Sequence, residues 1–304
     1  MNMFQKIKQY IYDKFDPVQI KIKYCIDMNN TLLDLSSMGL SELPANIPNF
    51  IKYLYCNNNN LKRLPPNLPN SIEFLYCHYN QITELSENLS VLLRTLHCTK
   101  NKITKLPINL NQGFPISLES LFCSQNKITE LPNNLPSSLK ELYCAGNQIT
   151  KLPINLPFSL EVLFCENNKI IELPINLPVS LKILSCSSNY LKQLPINLPI
   201  SLIHLYCSSN QLIELPLILP TSLIKLWCYN NKYLHISKNH ALRVHKMETP
   251  NYNQKAIIIQ RKWRKIKYYQ LIIKMIMDND NVLSNSFKYY GDLNIICLIA
   301  NYAV

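Results

Sequence analysis

Nine cysteines recur along this chain in a fixed frame. Cys56, Cys77 and Cys98 are 21 residues apart, Cys123 follows after 25, and Cys144, Cys165, Cys186, Cys207 and Cys228 resume the 21-residue step. Leucine stands two positions before each of them, from Leu54 to Leu226, and asparagine three positions after each, from Asn59 to Asn231. The stretch TLLDLSSMGLSELP, Thr31–Pro44, is a divergent first unit with Leu35 at the cysteine position and Met38 at the asparagine position. A fixed period of about 20–50 residues marks a repeat architecture, in which units too small to bury an apolar face alone stack on their neighbours. A 21-residue unit leaves no room for a helix beside its strand and turns.

Three chemistries fit a periodic cysteine. In the frame LxxLxCxxNxIxxLP it stands where an inward apolar residue belongs, and free cysteine behaves as a small buried hydrophobe. A disulfide ladder is within reach, since parallel strands lie about 4.8 Å apart. Parallel Cβ vectors and a reducing compartment oppose it. A metal site needs clustered ligands such as CxxC, whereas each turn here supplies one thiol among leucines. Packing is the reading adopted, so the thiols are expected to be buried and reduced, with no metal and no cofactor. The asparagine amide can bond the backbone of the turn leaving the strand, and stacked copies would form a ladder. The LPINLP tail of each unit reads as extended, polyproline-like chain, because proline lacks an N–H and fixes φ.

The full frame, LxxLxCxxNxIxxLPxxLPxSL, resembles the short, proline-rich leucine-rich repeats of bacterial type III effectors, and equally repeats in large DNA viruses of protists. The resemblance covers residues 31–234. It implies an α+β solenoid, a horseshoe of about ten units with short parallel strands on the concave face, an extended proline-rich convex side and helical flanking segments. Some of those effectors carry a ubiquitin-ligase domain after the repeats. Only about 70 residues follow here, without a comparable catalytic cysteine motif, so that activity is not carried over.

Neighbours on a strand alternate faces, so the residue between leucine and cysteine points outward, onto the concave side. That column reads Tyr55, Tyr76, His97, Phe122, Tyr143, Phe164, Ser185, Tyr206, Trp227. An aromatic stripe is either a cross-strand packing device or a surface of binding-prone residue types. The reading adopted gives its eight ring-bearing members to a protein partner of unknown identity. Enzymatic signatures are missing: a chain with four glycines holds no phosphate-cradling loop, and neither GxSxG nor HExxH occurs. His78, His97 and His204 have no acidic partner in a repeated place, and His235, His240 and His245 fall on different faces of a helix. The sequence therefore predicts a non-catalytic interaction scaffold.

The net charge of +12 is unevenly distributed. Residues 25–231 carry 14 basic and 13 acidic side chains, whereas 232–275 carry 11 Lys/Arg against Glu248 alone. Residues 254–277, QKAIIIQRKWRKIKYYQLIIKMIM, read as one basic amphipathic helix. Its centre resembles an IQ motif: Ile259, Gln260 and Arg264 match, and Ile272 fills the final apolar position. Lys265 and Tyr269 depart from the pattern, and Trp263 lies on the apolar stripe. The resemblance implies a calmodulin-like partner and makes a regulatory adaptor the alternative function. Closure of the solenoid end is a second role. Attraction of nucleic acid or an anionic membrane through residues 255–267 is a third. At the N-terminus, Met3, Phe4, Ile7, Ile11 and Phe15 read as a helix ended by Pro17, and Val18, Ile20, Ile22 and Tyr24 alternate like a strand, together capping the first repeat. The expected division is 1–30 cap, 31–234 repeats and 235–304 tail. With no secretory h-region and no apolar run near the roughly 18 residues of a membrane span, an intracellular setting is expected.

Overall fold

Each repeat turns the same side chains inward. In one turn, Leu139, Leu142, Cys144, Ile149, Leu152 and Leu156 are at most 5% exposed. The computed structural model describes residues 16–86, 88–107 and 117–235, and across them these columns join into one apolar core from Val18 to Cys228. The x-Leu-x triplets, each centred on the inward leucine, form short strands on it: β1 Leu32–Asp34, β2 Tyr53–Tyr55, β3 Phe74–Tyr76, β4 Thr95–His97, β5 Ser120–Phe122, β6 Glu141–Tyr143, β7 Val162–Phe164, β8 Ile183–Ser185, β9 His204–Tyr206 and β10 Lys225–Trp227. They form one parallel sheet in sequence order, so the chain is a parallel-strand solenoid. Every residue pairs with its counterpart one repeat on, as Leu54 does with Leu75. Leu96 pairs with Leu121 across the 25-residue step, so the four extra residues fall between β4 and β5 without disturbing register.

Hydrogen bonding continues past each strand. Cys144 N–H donates to Phe164 O at 2.8 Å, and two residues later Gly146 N–H donates to Glu166 O at 2.9 Å. The second bond requires a left-handed backbone at that position. Gly146 (φ +65°) supplies it at no steric cost, but Tyr79 (φ +55°), Lys100 (φ +57°) and Gln125 (φ +55°) adopt it as well.

The proline-rich side differs from the extended chain expected. Each segment is broken by a turn in which Leu160 N–H donates to Pro157 O at 3.0 Å, repeated at Leu181 to Pro178 and Leu202 to Pro199. The chain must reverse direction within one repeat, and proline, with no N–H to offer, serves as the acceptor at the start of the turn. Leucine and most prolines of these segments pack inward, while the Ile-Asn pairs face solvent.

The expected strand at Val18–Tyr24 is instead α1, Pro17–Asp27. The Asp16 carboxylate caps it, accepting from Val18 N–H at 2.9 Å, and Pro17 opens it. Val18, Ile22 and Cys25 lie at i, i+4 and i+7 and bury, while Tyr24 stays outside. A two-residue alternation and a helical stripe share Val18 and Ile22, and the cap decides between them. The buried stripe of α1 joins Leu33 and Leu35, covering the first turn. The helix proposed over Met3–Phe15 lies outside the described residues. Among the described residues, no helix is long and apolar enough to cross a membrane.

Candidate interaction face

The outward column of the sheet forms a run of contacting rings. Tyr55 stacks on Tyr76 with centroids 4.6 Å apart, Tyr76 meets His97 edge-on at 6.0 Å, and His97 tilts against Phe122 at 5.1 Å. Phe122 stacks on Tyr143 at 4.6 Å and Tyr143 on Phe164 at 4.9 Å. Ser185, 3% exposed, interrupts the run, and Tyr206 meets Trp227 at 4.8 Å beyond it. Cross-strand packing is thus realised along the stripe. The predicted contact residues differ in what they leave open. Tyr55 and Tyr76 are buried, whereas His97, Phe122, Tyr143, Phe164, Tyr206 and Trp227 are half-buried. One position before the leucine, Tyr53 stacks on Phe74 at 4.6 Å, widening the aromatic surface at this end.

A mostly polar column, broken by Ala145 and ended by Tyr229, stands at the position after each cysteine. Asn57 Oδ1, His78 Nδ1, Ser124 Oγ and Ser208 Oγ are buried there and make no hydrogen bond among the described residues. His78 stacks on His97 at 4.1 Å, and burial pushes its pKa down to about 4, so it is neutral at pH 7. Burial also raises Tyr206 to about 12. Sequence reasoning passed over this column because its residue types vary. What they share is placement.

The cysteines behind the face are free and buried, as the packing reading expected. Desolvation pushes Cys77, Cys123 and Cys186 up to about 12, which makes them poor nucleophiles. Asparagine fulfils its expected part: Asn80 Nδ2 donates to Cys56 O at 2.9 Å and Cys77 O at 3.0 Å, and its Oδ1 accepts from Leu61 N–H at 3.0 Å. Two further columns were not foreseen. The serine of xSL reaches back one turn, Ser180 Oγ lying 2.5 Å from Phe158 O and 2.8 Å from Leu160 O, and donating to one at a time. Residues preceding β2 to β8 alternate in sign: Lys52, Glu73, Arg94, Glu119, Lys140, Glu161, Lys182. Ile259, Gln260, Trp263, Arg264 and Ile272, the residues of the IQ-like segment, lie outside the described residues.

The family model for leucine-rich repeats in two copies matches residues 116–157. No curated protein matches the chain. Among solved structures, YopM from Yersinia enterocolitica is 33% identical with a TM-score of 0.65, over 72% of this chain and 46% of YopM. The functional domain of InlJ from Listeria monocytogenes, which includes a cysteine ladder, is 30% identical with a TM-score of 0.64, over 72% of this chain and 48% of that one. The chain therefore spans under half the length of these two. A Shigella effector leucine-rich repeat domain is 33% identical with a TM-score of 0.52, and the match covers 58% of this chain and 77% of that domain. With the repeat frame, the parallel solenoid and this match over most of a solved repeat domain in agreement, the chain belongs to the leucine-rich repeat family.

Proposed function

We propose that the chain is a non-catalytic scaffold that binds a protein partner across the outward face of its sheet. Leucine-rich repeat proteins generally bind protein partners, and one observation supports a contact on this face. Half-buried rings from His97 to Phe164, and again at Tyr206 and Trp227, run beside buried polar atoms that make no hydrogen bond among the described residues. Aromatic rings give large contact area from rigid side chains. A partner that covers the rings desolvates little further polar surface, because the polar atoms beside them are already out of water. The longest unbroken run of half-buried rings is His97 to Phe164, which makes it the centre of the proposed contact.

The test uses the full chain and a partner identified by crosslinking and mass spectrometry, with affinity then measured by titration. Tyr143→Ala, Phe164→Ala and Tyr206→Ala together are expected to weaken binding at least tenfold, about 1.4 kcal/mol, while the circular dichroism spectrum is kept. Unchanged affinity would assign the stripe to packing alone.

A further inference from the structure

The proline-rich side carries a second surface that the sheet face does not explain. In the segments LPINLP and their relatives, the residue after each proline points outward. After the first proline stand Ile154, Ile175, Ile196 and Leu217, which are 79%, 72%, 77% and 79% exposed. After the second stand Phe158, Val179 and Ile200, which are 85%, 72% and 84% exposed. Earlier described turns hold Ala45, Pro66 and Asn133 at the first site and Asn49, Asn70, Val91 and Ser137 at the second, of which only Val91, 66% exposed, is a large apolar residue. The fold therefore tolerates small or polar residues at both sites. Among the described residues, the two apolar rows run together only through the turns between β6 and β10.

We propose that these rows form a homodimer interface, pairing two copies of the chain. Seven large apolar side chains this exposed offer roughly the 800 Å² that each partner of a standard interface contributes, and isolated patches of that extent mark interaction sites. Rows repeating at the pitch of the solenoid are self-complementary: a copy turned about a two-fold axis sets its ridges between those of the first. A two-fold pairing uses the same patch on both copies, so it closes at two and does not propagate. Residues 152–159, 173–180, 194–201 and 215–222 contain no charged side chain, so no ion is desolvated. The second row is also preorganised. Ser180, Ser201 and Ser222 place their hydroxyls 2.5 Å from Phe158 O, 2.6 Å from Val179 O and 2.6 Å from Ile200 O. Little flexibility is left to lose on association. A lipid surface is the less fitting occupant, because membrane-binding faces set cationic side chains among apolar ones, and these segments have none.

Sedimentation velocity of the full chain from about 1 to 100 µM reads dimers with micromolar dissociation constants. About 0.15 M salt keeps the basic tails from repelling each other at range. The wild-type mass is expected to rise to twice that of one chain. A variant with Phe158→Ser, Ile175→Asn, Ile196→Asn and Ile200→Asn is expected to stay single at every concentration with an unchanged circular dichroism spectrum. These substitutions copy residue types that earlier turns already hold at the same sites. A wild-type chain that stays single overturns the proposal, as does a variant that still pairs. A single-chain wild type that pellets with phosphatidylcholine–phosphatidylserine vesicles, where the variant does not, assigns the rows to a membrane instead.

Discussion

Asn147 ties three backbone groups of two turns together. Its amide donates to Cys123 O at 3.1 Å and Cys144 O at 2.9 Å, and its oxygen accepts from Ile128 N–H at 3.0 Å, all at 8% exposure. Asn147→Ala leaves those groups buried without partners, at about 1–3 kcal/mol each. A loss of about 3–5 kcal/mol is expected in urea unfolding, and one below about 1 kcal/mol would contradict the bridging role. The spacing made this asparagine legible. It could not show that the serine of xSL forms a second bridge, because serine there reads equally well as an ordinary turn residue. His78 gives a residue-scale pH dependence. Its folded pKa, about 4, lies below its ordinary value of 6.5. The unfolded chain therefore takes up the proton first as pH falls. Its contribution to stability is complete above about pH 6.5 and declines by at most about 1.4 kcal/mol per pH unit. The decline ends near the folded value of about 4. Denaturant midpoints at pH 7 and pH 5 should differ less in His78→Phe than in the wild type, and equal differences would exonerate His78.

Strand by strand, the charged column sets a pattern along the sheet. Glu73 lies 3.0 Å from Lys52 and 3.6 Å from Arg94, and Glu119 lies 3.4 Å from Arg94 and 2.8 Å from Lys140. Lys182 to Glu161 is 2.7 Å, after which Ile203 and Ile224 end the column. Exposed pairs contribute about 0–1 kcal/mol each, so the column adds little to stability. It does oppose mispairing, since a one-repeat slip sets like charges side by side. Glu119→Lys puts a third cation between Arg94 and Lys140. A loss of about 1–2 kcal/mol at low salt is expected, shrinking by half or more at about 1 M salt as screening sets in. A loss independent of salt would point to packing instead of charge. The strands were legible because their inward columns repeat without exception. Helix α1 was not, because Val18, Ile20, Ile22 and Tyr24 satisfy a strand pattern and only the Asp16-Pro17 start favours the helix. The aromatic face was legible as a column of residue types, but not as stacked rings with two buried members, since ring geometry depends on the neighbouring strand.

Across the whole solenoid, each turn touches only the turns before and after it, so stability is a sum of turn and interface contributions. Interior turns have two interfaces to break before they open, and terminal turns have one. The cysteine column turns this into a measurement. Each turn from β2 to β10 carries one buried thiol, from Cys56 to Cys228. Burial holds Cys77, Cys123 and Cys186 near 12 and pushes Cys98, Cys144 and Cys165 well above the ordinary thiol range. A thiol with a pKa of about 12 is ionised at pH 8 in roughly one molecule in ten thousand. Alkylation therefore waits for its turn to open, and its rate reports local opening. Under mild denaturant, mass spectrometry should find Cys228 labelled well ahead of Cys144 and Cys165. Cys56, next to the turn that α1 covers, should fall between them. The ratio of Cys228 to Cys144 rates should narrow as denaturant approaches the unfolding midpoint, where global opening overtakes local opening. One common rate for all nine thiols at every denaturant concentration would mean that the repeats unfold as a single unit, and the additive picture of turns and interfaces would have to be abandoned.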